Sequence, residues 1–213
     1  MSAGAVNRWP DAPHALAYLE RREQIPHRAE GCAVVLEILG RPQRVLDLGT
    51  GDGVLLALLK SRWPDVEAVG VDFSAAMLDA ARARFAGDRA VTIVEHDLDQ
   101  PLPGLGRFDT VVSSFAIHHL ANTRKRALYA EVFGLLVPGG RFANLEHVDS
   151  PTRELHRQFL DALGSTEDDE DPSNQLTPAD VQLAWLRDLG FVDVDCFWKW
   201  RELALLAGTK PGD

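Results

Sequence analysis

Residues 45–59 constrain the fold more than any other part of the chain. Val45-Leu46-Asp47-Leu48 is a short apolar run interrupted by one acid. Gly49-Thr50-Gly51-Asp52-Gly53 alternates glycine with polar residues, and Val54-Leu55-Leu56-Ala57-Leu58-Leu59 is an apolar run of helical length. The order predicts a strand, a tight turn and a helix. Glycine tolerates positive φ and has no side chain to keep a ligand away from the backbone. A bare glycine loop before a helix favours a phosphate, whereas the Asp47 carboxylate at its mouth favours a ligand with a positively charged end.

The same alternation continues along the chain. Before it, Ala12–Arg22 reads as a helix with Ala15, Leu16 and Leu19 on one side. Pro26 interrupts, and His27–Leu39 reads as a second amphipathic helix ending at Gly40. After Val45–Leu48 and the Val54–Arg62 helix come a buried strand at Val66–Val71 and a helix capped by Ser74 that runs to Phe85. Strands follow at Val91–Glu95 and Phe108–Ser114. Asn122 or Thr123 caps a helix reaching Leu136. Pro138-Gly139-Gly140 turns into a fifth strand, Arg141–His147. Helices at Pro151–Leu163 and Pro178–Asp188 flank an acidic run. Val192–Phe197 and about Arg201–Leu206 leave no room for a helix between them and predict an antiparallel hairpin at one edge. Strands alternating with helices predict an α/β fold: a mostly parallel sheet with helices on both faces. Ligands in such sheets sit outside the carboxyl ends of the strands. The expected division is an N-terminal helical cover, residues 1–43, and a sheet domain, residues 44–213, together forming one structural domain.

At 213 residues the chain can bury a sizeable core. Met1–Pro13 contains no apolar signal-like run and no stretch is long enough to span a membrane, so the expected location is the cytoplasm. Cys32 and Cys196 are expected to be reduced and buried, and are too few for a cysteine metal site. The net charge of -10 disfavours a nucleic-acid partner, whose phosphates draw on Lys and Arg. The acidic run Glu167–Asp171, ending at Pro172, reads as a solvated loop, with a cation-attracting rim or lid as the rival.

The strand ends carry the chemistry. The glycine spacing departs from the dinucleotide pattern, because Gly53 arrives early and position 54 is valine. Asp72, closing Gly70-Val71-Asp72-Phe73-Ser74, suits two ribose hydroxyls, a feature common to dinucleotide and nucleoside sites. Glu95-His96-Asp97-Leu98 offers a carboxylate for an exocyclic adenine amine and a following N–H for a ring nitrogen. The fourth strand leads through Ser113-Ser114-Phe115-Ala116-Ile117 to His118-His119-Leu120, and Leu135-Leu136-Val137-Pro138-Gly139-Gly140 follows.

In this order and spacing, these segments resemble the class I S-adenosylmethionine-dependent methyltransferases, strongly over Arg44–Phe142 and more weakly to the C-terminal hairpin. The resemblance implies a Rossmann-like seven-stranded sheet with an antiparallel C-terminal edge strand, and S-adenosylmethionine lying across the strand ends. It implies that Asp47, Gly49 and Gly51, with Thr50 between them, line the methionine moiety. Asp72 holds the ribose, Phe73 and Met77 pack on the adenine, and Asp97 with Leu98 reads its edge. Ser113 or Ser114 lies near the methionine amine or the sulfonium. Tyr18 and Arg22 on the N-terminal cover are further cofactor-side candidates. Met77 as ordinary core, and Asp97 as a loop acid before Pro101, are the rival roles. Asp52 reads as a solvent-facing acid of the helix's first turn.

Methyl transfer from a sulfonium needs nucleophile, methyl and sulfur in line, and a base only where the acceptor must lose a proton. His118, His119 and His147, the last beside Glu146, are the candidate bases. Space-filling is the rival role for His118 and His119. The histidine spacing matches no metal motif. The strand-four text lacks the Pro-Pro-aromatic signature of amino-group base methyltransferases, and neither cysteine suits C5 chemistry. The expected acceptor is therefore a small molecule, methylated at O, N or C, by a monomer or homodimer. Trp9, His27, Arg28, Arg153 and His156 are candidate pocket walls. Trp198 and Trp200 are expected to pack the sheet edge or a dimer contact. A cofactor-cyclising or cofactor-cleaving enzyme and a non-catalytic cofactor-binding subunit are the alternatives.

Overall fold

The structure, a computed structural model, describes residues 25–212. The Ala12–Arg22 segment, with Trp9, Tyr18 and Arg22, lies outside the described residues. Helix α1 spans Arg28–Ile38, followed by β1 (Arg44–Leu48), α2 (Val54–Arg62), β2 (Glu67–Asp72), α3 (Ala75–Arg84), β3 (Val91–Glu95) and β4 (Phe108–Ser114). A 3-10 turn at Ile117–His119 leads to α4 (Asn122–Leu135) and β5 (Leu136–His147). Then come α5 (Arg153–Leu163), α6 (Ala179–Asp188), β6 (Val192–Trp200) and β7 (Leu203–Thr209).

The seven strands form one sheet in the order β3-β2-β1-β4-β5-β7-β6. Strands β1 to β5 pair in parallel. Strand β7 pairs antiparallel with both β5 and β6. The C-terminal hairpin thus supplies the expected edge, with β7 inside and β6 outermost. Strand order reverses between β1 and β4, and this opens a crevice at their carboxyl ends.

The central strands are buried on both faces, as helices on each side require. Val45, Val112, Ala143 and Leu205 point to one face, where they meet Val35 of α1, Leu56 and Leu59 of α2, and Phe159 and Leu160 of α5. Leu46, Val111 and Phe142 point to the other, where Leu128, Tyr129 and Val132 of α4 and Leu186 of α6 cover them. Trp198 and Trp200 pack against the first of these clusters, and Trp200 also stacks on His27, with ring centroids 4.6 Å apart. At the sheet edge they pack against both α1 and α5, Trp198 close to Gly31 and Trp200 on Phe159 with ring centroids 6.0 Å apart.

Several local expectations shift. Strand β5 starts at Leu136, and Val137 to Gly140 form a bulge opposite Asp109, with Gly139 at φ 77°. Ala121, not Asn122 or Thr123, occupies the N-cap of α4; the Asn122 side chain instead accepts from Thr177 Oγ1 at 2.5 Å. Ser74 holds the N-cap position of α3 without a side-chain cap. The acidic run is partly ordered, as a 3-10 turn at Glu167–Asp169 closed by a Thr166–Asp169 capping box. Strand β6 reaches Trp200 because Trp198 and Trp200 both pair with β7. Cys32 is buried and Cys196 half-buried, both free thiols.

Candidate active site

The carboxyl ends of β1, β2, β3 and β4 frame a cleft. Asp47 closes its floor at 1% exposure. Thr50 Oγ1 donates to Asp47 Oδ2 at 2.8 Å, while Oδ1 is buried with no partner among the described residues. Burial pushes the Asp47 carboxyl up to about 7, against the Thr50 hydrogen bond and with help from the Asp72 charge. A buried carboxylate oxygen without a donor is costly and calls for one.

Gly49 and Gly51 do different jobs in the loop. A Cβ on Gly49 would lie 2.1 Å from Ala116 Cβ, so only glycine lets β1 and β4 close on each other here. Gly51 has φ 57° and open space where a Cβ would be, and its N–H donates to Asp72 Oδ2 at 2.9 Å. Asp72 Oδ1 accepts from Ser74 N at 2.9 Å. Burial raises the Asp72 carboxyl, opposed by backbone N–H groups of Ser74, Gly51 and Phe73.

Phe73, Met77, Asp97 and Leu98 form the far wall. Asp97 Oδ1 holds its own loop by accepting from Asp99 N at 2.9 Å. Arg124 pins that loop to α4 by donating to the Leu98 carbonyl at 2.6 Å. The two serines separate. Ser114 lines the cleft with a buried Oγ that has no partner among the described residues. Ser113 is absent from the cleft lining; its Oγ donates to the Leu48 carbonyl at 2.8 Å, stitching β4 to β1. Asp52 is not solvent-facing: it is 5% exposed and pairs with Arg84 at 2.5 Å.

The three candidate histidines stand close together but face different partners. The rings of His118 and His119 are 4.0 Å apart, and those of His118 and His147 are 5.7 Å apart. Of the three, only His119 lines the cleft. His118 Nδ1 donates to Glu146 Oε1 at 2.6 Å, and burial holds His118 neutral. Burial also pushes the Glu146 carboxyl up to about 7, opposed by the His147 N–H and the Lys125 charge. His147 Nε2 donates to Glu202 Oε2 at 2.9 Å. Glu202 Oε1 accepts in turn from His156 Nδ1 at 2.9 Å and from Ser150. Burial opposes ionisation of Glu202, but these donors outweigh it and hold the carboxyl below its ordinary range. Arg153 lies on the surface, paired with Glu167 at 3.0 Å.

Residues 171–177, which read as the tail of a solvated loop, lie across the histidine turn. Gln175 N donates to the His118 carbonyl at 2.9 Å, and Gln175 Nε2 donates to the His119 carbonyl at 2.8 Å. Lys125, buried on α4, donates to the Gln175 carbonyl and to Thr177 Oγ1. Phe115, with φ 54°, turns the chain out of β4 and presents Ala116 to Gly49. A non-glycine residue in that region stores backbone strain, a common mark of ligand sites. Sequence reasoning missed Phe115, Lys125, Ser173, Gln175 and Glu202. The acidic run ending at Pro172 reads as a solvated loop, and nothing local links Ser173 to a histidine 54 residues away.

A family model described as a methyltransferase domain matches residues 45–140. The chain is 31% identical over 169 residues to the demethylmenaquinone methyltransferase of Clavibacter sepedonicus, covering 72% of this chain and 67% of that one. It belongs to the class I S-adenosylmethionine-dependent methyltransferase family. The demethylmenaquinone methyltransferase of Thermus thermophilus is 40% identical over 121 residues, 56% of this chain and 54% of its own. The chain thus spans about half the length of that relative. An O-methyltransferase family protein from Burkholderia thailandensis shares the fold, with a TM-score of 0.76 at 20% identity, over 100% of this chain and 64% of its own.

The cofactor of this family is S-adenosylmethionine, and the residues present fit it. The orphaned Asp47 Oδ1 suits the ammonium of its methionine arm. The open space at Gly51 admits that arm against the backbone. Asp72 spends one lone pair of each oxygen on a backbone N–H and keeps others for ribose hydroxyls. Within the described residues no helix is long and apolar enough to cross a membrane, and no group of three or more His, Cys, Asp or Glu side chains is placed to hold a metal ion.

Proposed function

We propose that this chain transfers a methyl group to a small-molecule acceptor at a hydroxyl oxygen or an activated carbon, with His119 as the group that takes the acceptor's proton. The observation that carries this reading is the placing of His119 on the cleft that Asp47 and Asp72 also line. S-adenosylmethionine, when bound, supplies an electrophilic methyl on a sulfonium. The chain's own residues orient and shield. Asp47 takes the ammonium, Asp72 the ribose, and Asp97 with the Leu98 N–H the adenine edge, while Phe73 and Met77 cover its face. Phe115 and Leu120 keep the reactive end apolar, and the Ser114 hydroxyl is the nearby polar group left to satisfy.

The basicity of His119 narrows the acceptor atom. Burial, aided by neighbouring His118, lowers it to about 3. A histidine held neutral in this way suits a proton that leaves only as the methyl arrives, when a hydroxyl or an activated carbon becomes a strong acid. An amine attacks through its own lone pair and needs no base in that step. The relatives named for demethylmenaquinone supply one test acceptor with both a phenolic hydroxyl and an activated ring carbon in its reduced form.

Calorimetry with S-adenosylmethionine and S-adenosylhomocysteine tests the cofactor, and binding of neither overturns the proposal. Product analysis with reduced demethylmenaquinone and a panel of small phenols, enols and amines tests the acceptor. Methylation of amines alone would exclude the role given to His119. Release of methylthioadenosine without an acceptor would turn the reading to cofactor cleavage. Binding without turnover would turn it to a non-catalytic subunit.

A further inference from the structure

We infer that Ser173 and Asp171, carried in from the acidic segment, fix His119 in the tautomer that keeps the lone pair on Nε2, and so act as positioning residues for it. The inference deepens the role proposed for His119 and rests on it.

Ser173 is 4% exposed. Its Oγ lies 2.9 Å from His119 Nδ1 and 2.7 Å from Asp171 Oδ1. A serine hydroxyl has one hydrogen to give, and an ionised carboxylate has none. The hydrogen between serine and aspartate is therefore the serine's. The close contact with Nδ1 must then be donated by the imidazole. A neutral imidazole carries a single N–H, so its lone pair sits on Nε2. The other tautomer would set the Nδ1 lone pair against an oxygen whose hydrogen is already committed to Asp171.

The surroundings keep this arrangement from relaxing. Asp171 Oδ1 also accepts Ser173 N at 2.9 Å, which closes a small turn on itself. Gln175 holds the carbonyls of both His118 and His119. Lys125 donates to the Gln175 carbonyl and to Thr177 Oγ1. The serine is thus delivered to the imidazole by its own turn and by a strap fastened just beyond it, at Gln175 and Thr177. A serine present only to close the turn would need its bond to Asp171 and no approach to Nδ1.

The test is the tautomer itself, read in the free protein by long-range 1H–15N correlation on histidine-labelled samples. His119 is assigned by its loss in the His119→Gln variant. The wild type should show the Nδ1–H form. Ser173→Ala should move His119 toward the Nε2–H form, and Ser173→Thr, which keeps the hydroxyl, should not. In Ser173→Ala, affinity for S-adenosylhomocysteine should stay within about threefold, while kcat for reduced demethylmenaquinone falls about tenfold or more with little change in KM. An Nε2–H form in the wild type, or no tautomer change in Ser173→Ala, overturns the inference and leaves His119 as base intact. Full turnover by His119→Gln would instead remove the proposed role of His119 while leaving the tautomer result standing.

Discussion

The cofactor wall and the histidine wall of the cleft use the chain in different ways. Asp47, Gly49, Gly51 and Asp72 sit at the ends of consecutive strand-to-helix units, each set by its own turn. The histidine wall is assembled from remote pieces: His118 with Glu146, 28 residues on, His119 with Ser173, 54 residues on, and His147 with Glu202, 55 residues on. Both walls hold buried polar atoms without a hydrogen-bond partner among the described residues: Asp47 Oδ1 and Ser114 Oγ on the first, and Asn144 Oδ1 beside Glu146 on the second. The second wall differs in its buried carboxylates, since Glu146 and Glu202 each gather several donors from remote parts of the chain.

Gly49→Val gives the largest expected effect on that contrast. A side chain there meets Ala116 and must adopt φ 69°. Calorimetry should find no S-adenosylhomocysteine binding, because the cofactor wall tolerates no shift at this point. Measurable binding with wild-type affinity would mean the loop is more pliable than its geometry implies.

His119→Ala probes the other wall. Turnover should drop roughly 10²–10⁴-fold, the usual worth of a positioned proton acceptor. Cofactor affinity should change by less than about threefold, since Asp47 and Asp72 stay in place. A comparable loss of cofactor affinity would show that the walls are not separable.

The third test is pH. The folded Asp47 carboxyl is held up to about 7 against an ordinary value of 3.8, so the folded free protein keeps a proton there that the unfolded chain has released. Stability contributed at this site therefore falls as pH rises from about 4 to about 7. Binding of the ammonium requires the ionised form, so cofactor affinity should strengthen about tenfold per pH unit on approaching pH 7 from below and level off above it. Asp47→Asn should flatten both slopes, weaken cofactor binding and stabilise the free protein. Glu146 titrates in the same range, which is why the difference between variant and wild type, not the raw curve, is the quantity to follow.

Lys125→Met gives the smallest effect. It frees the strap by leaving the Gln175 carbonyl and Thr177 with one donor fewer, at a cost of roughly 1–3 kcal/mol in thermal or urea unfolding. Hydrogen exchange should speed up in residues 171–177 and stay unchanged around Asp47. Faster exchange in both places would tie the two walls together.

Much of the cofactor wall was legible from residues alone. An acid before a glycine turn, and acids closing the next two strands, are local patterns, and each lies within one strand-to-helix unit. Local patterns failed where a side chain found a remote partner. Asp52 read as a solvent-facing acid because nothing in its own turn announces Arg84, 32 residues away. Ser113 and Ser114 were indistinguishable as neighbours on one strand. Strand alternation turns one to the Leu48 carbonyl and the other to the cleft. The acidic run looked solvated because its charge is exposed, yet the residues after it are docked through backbone and amide groups that composition does not display.

By itself the sequence determined the alternation of strands and helices, the turn that admits a ligand and the acids that choose a cationic nucleoside for it. These follow from glycine's conformational freedom and from charge at strand ends, which act over a few residues. The tertiary structure decided which histidine meets the cleft, which ones rest on buried carboxylates, and that Ser173 stands beside His119. Those outcomes depend on strand order and on how a returning segment docks, and only the closed sheet brings side chains more than fifty residues apart within hydrogen-bond reach.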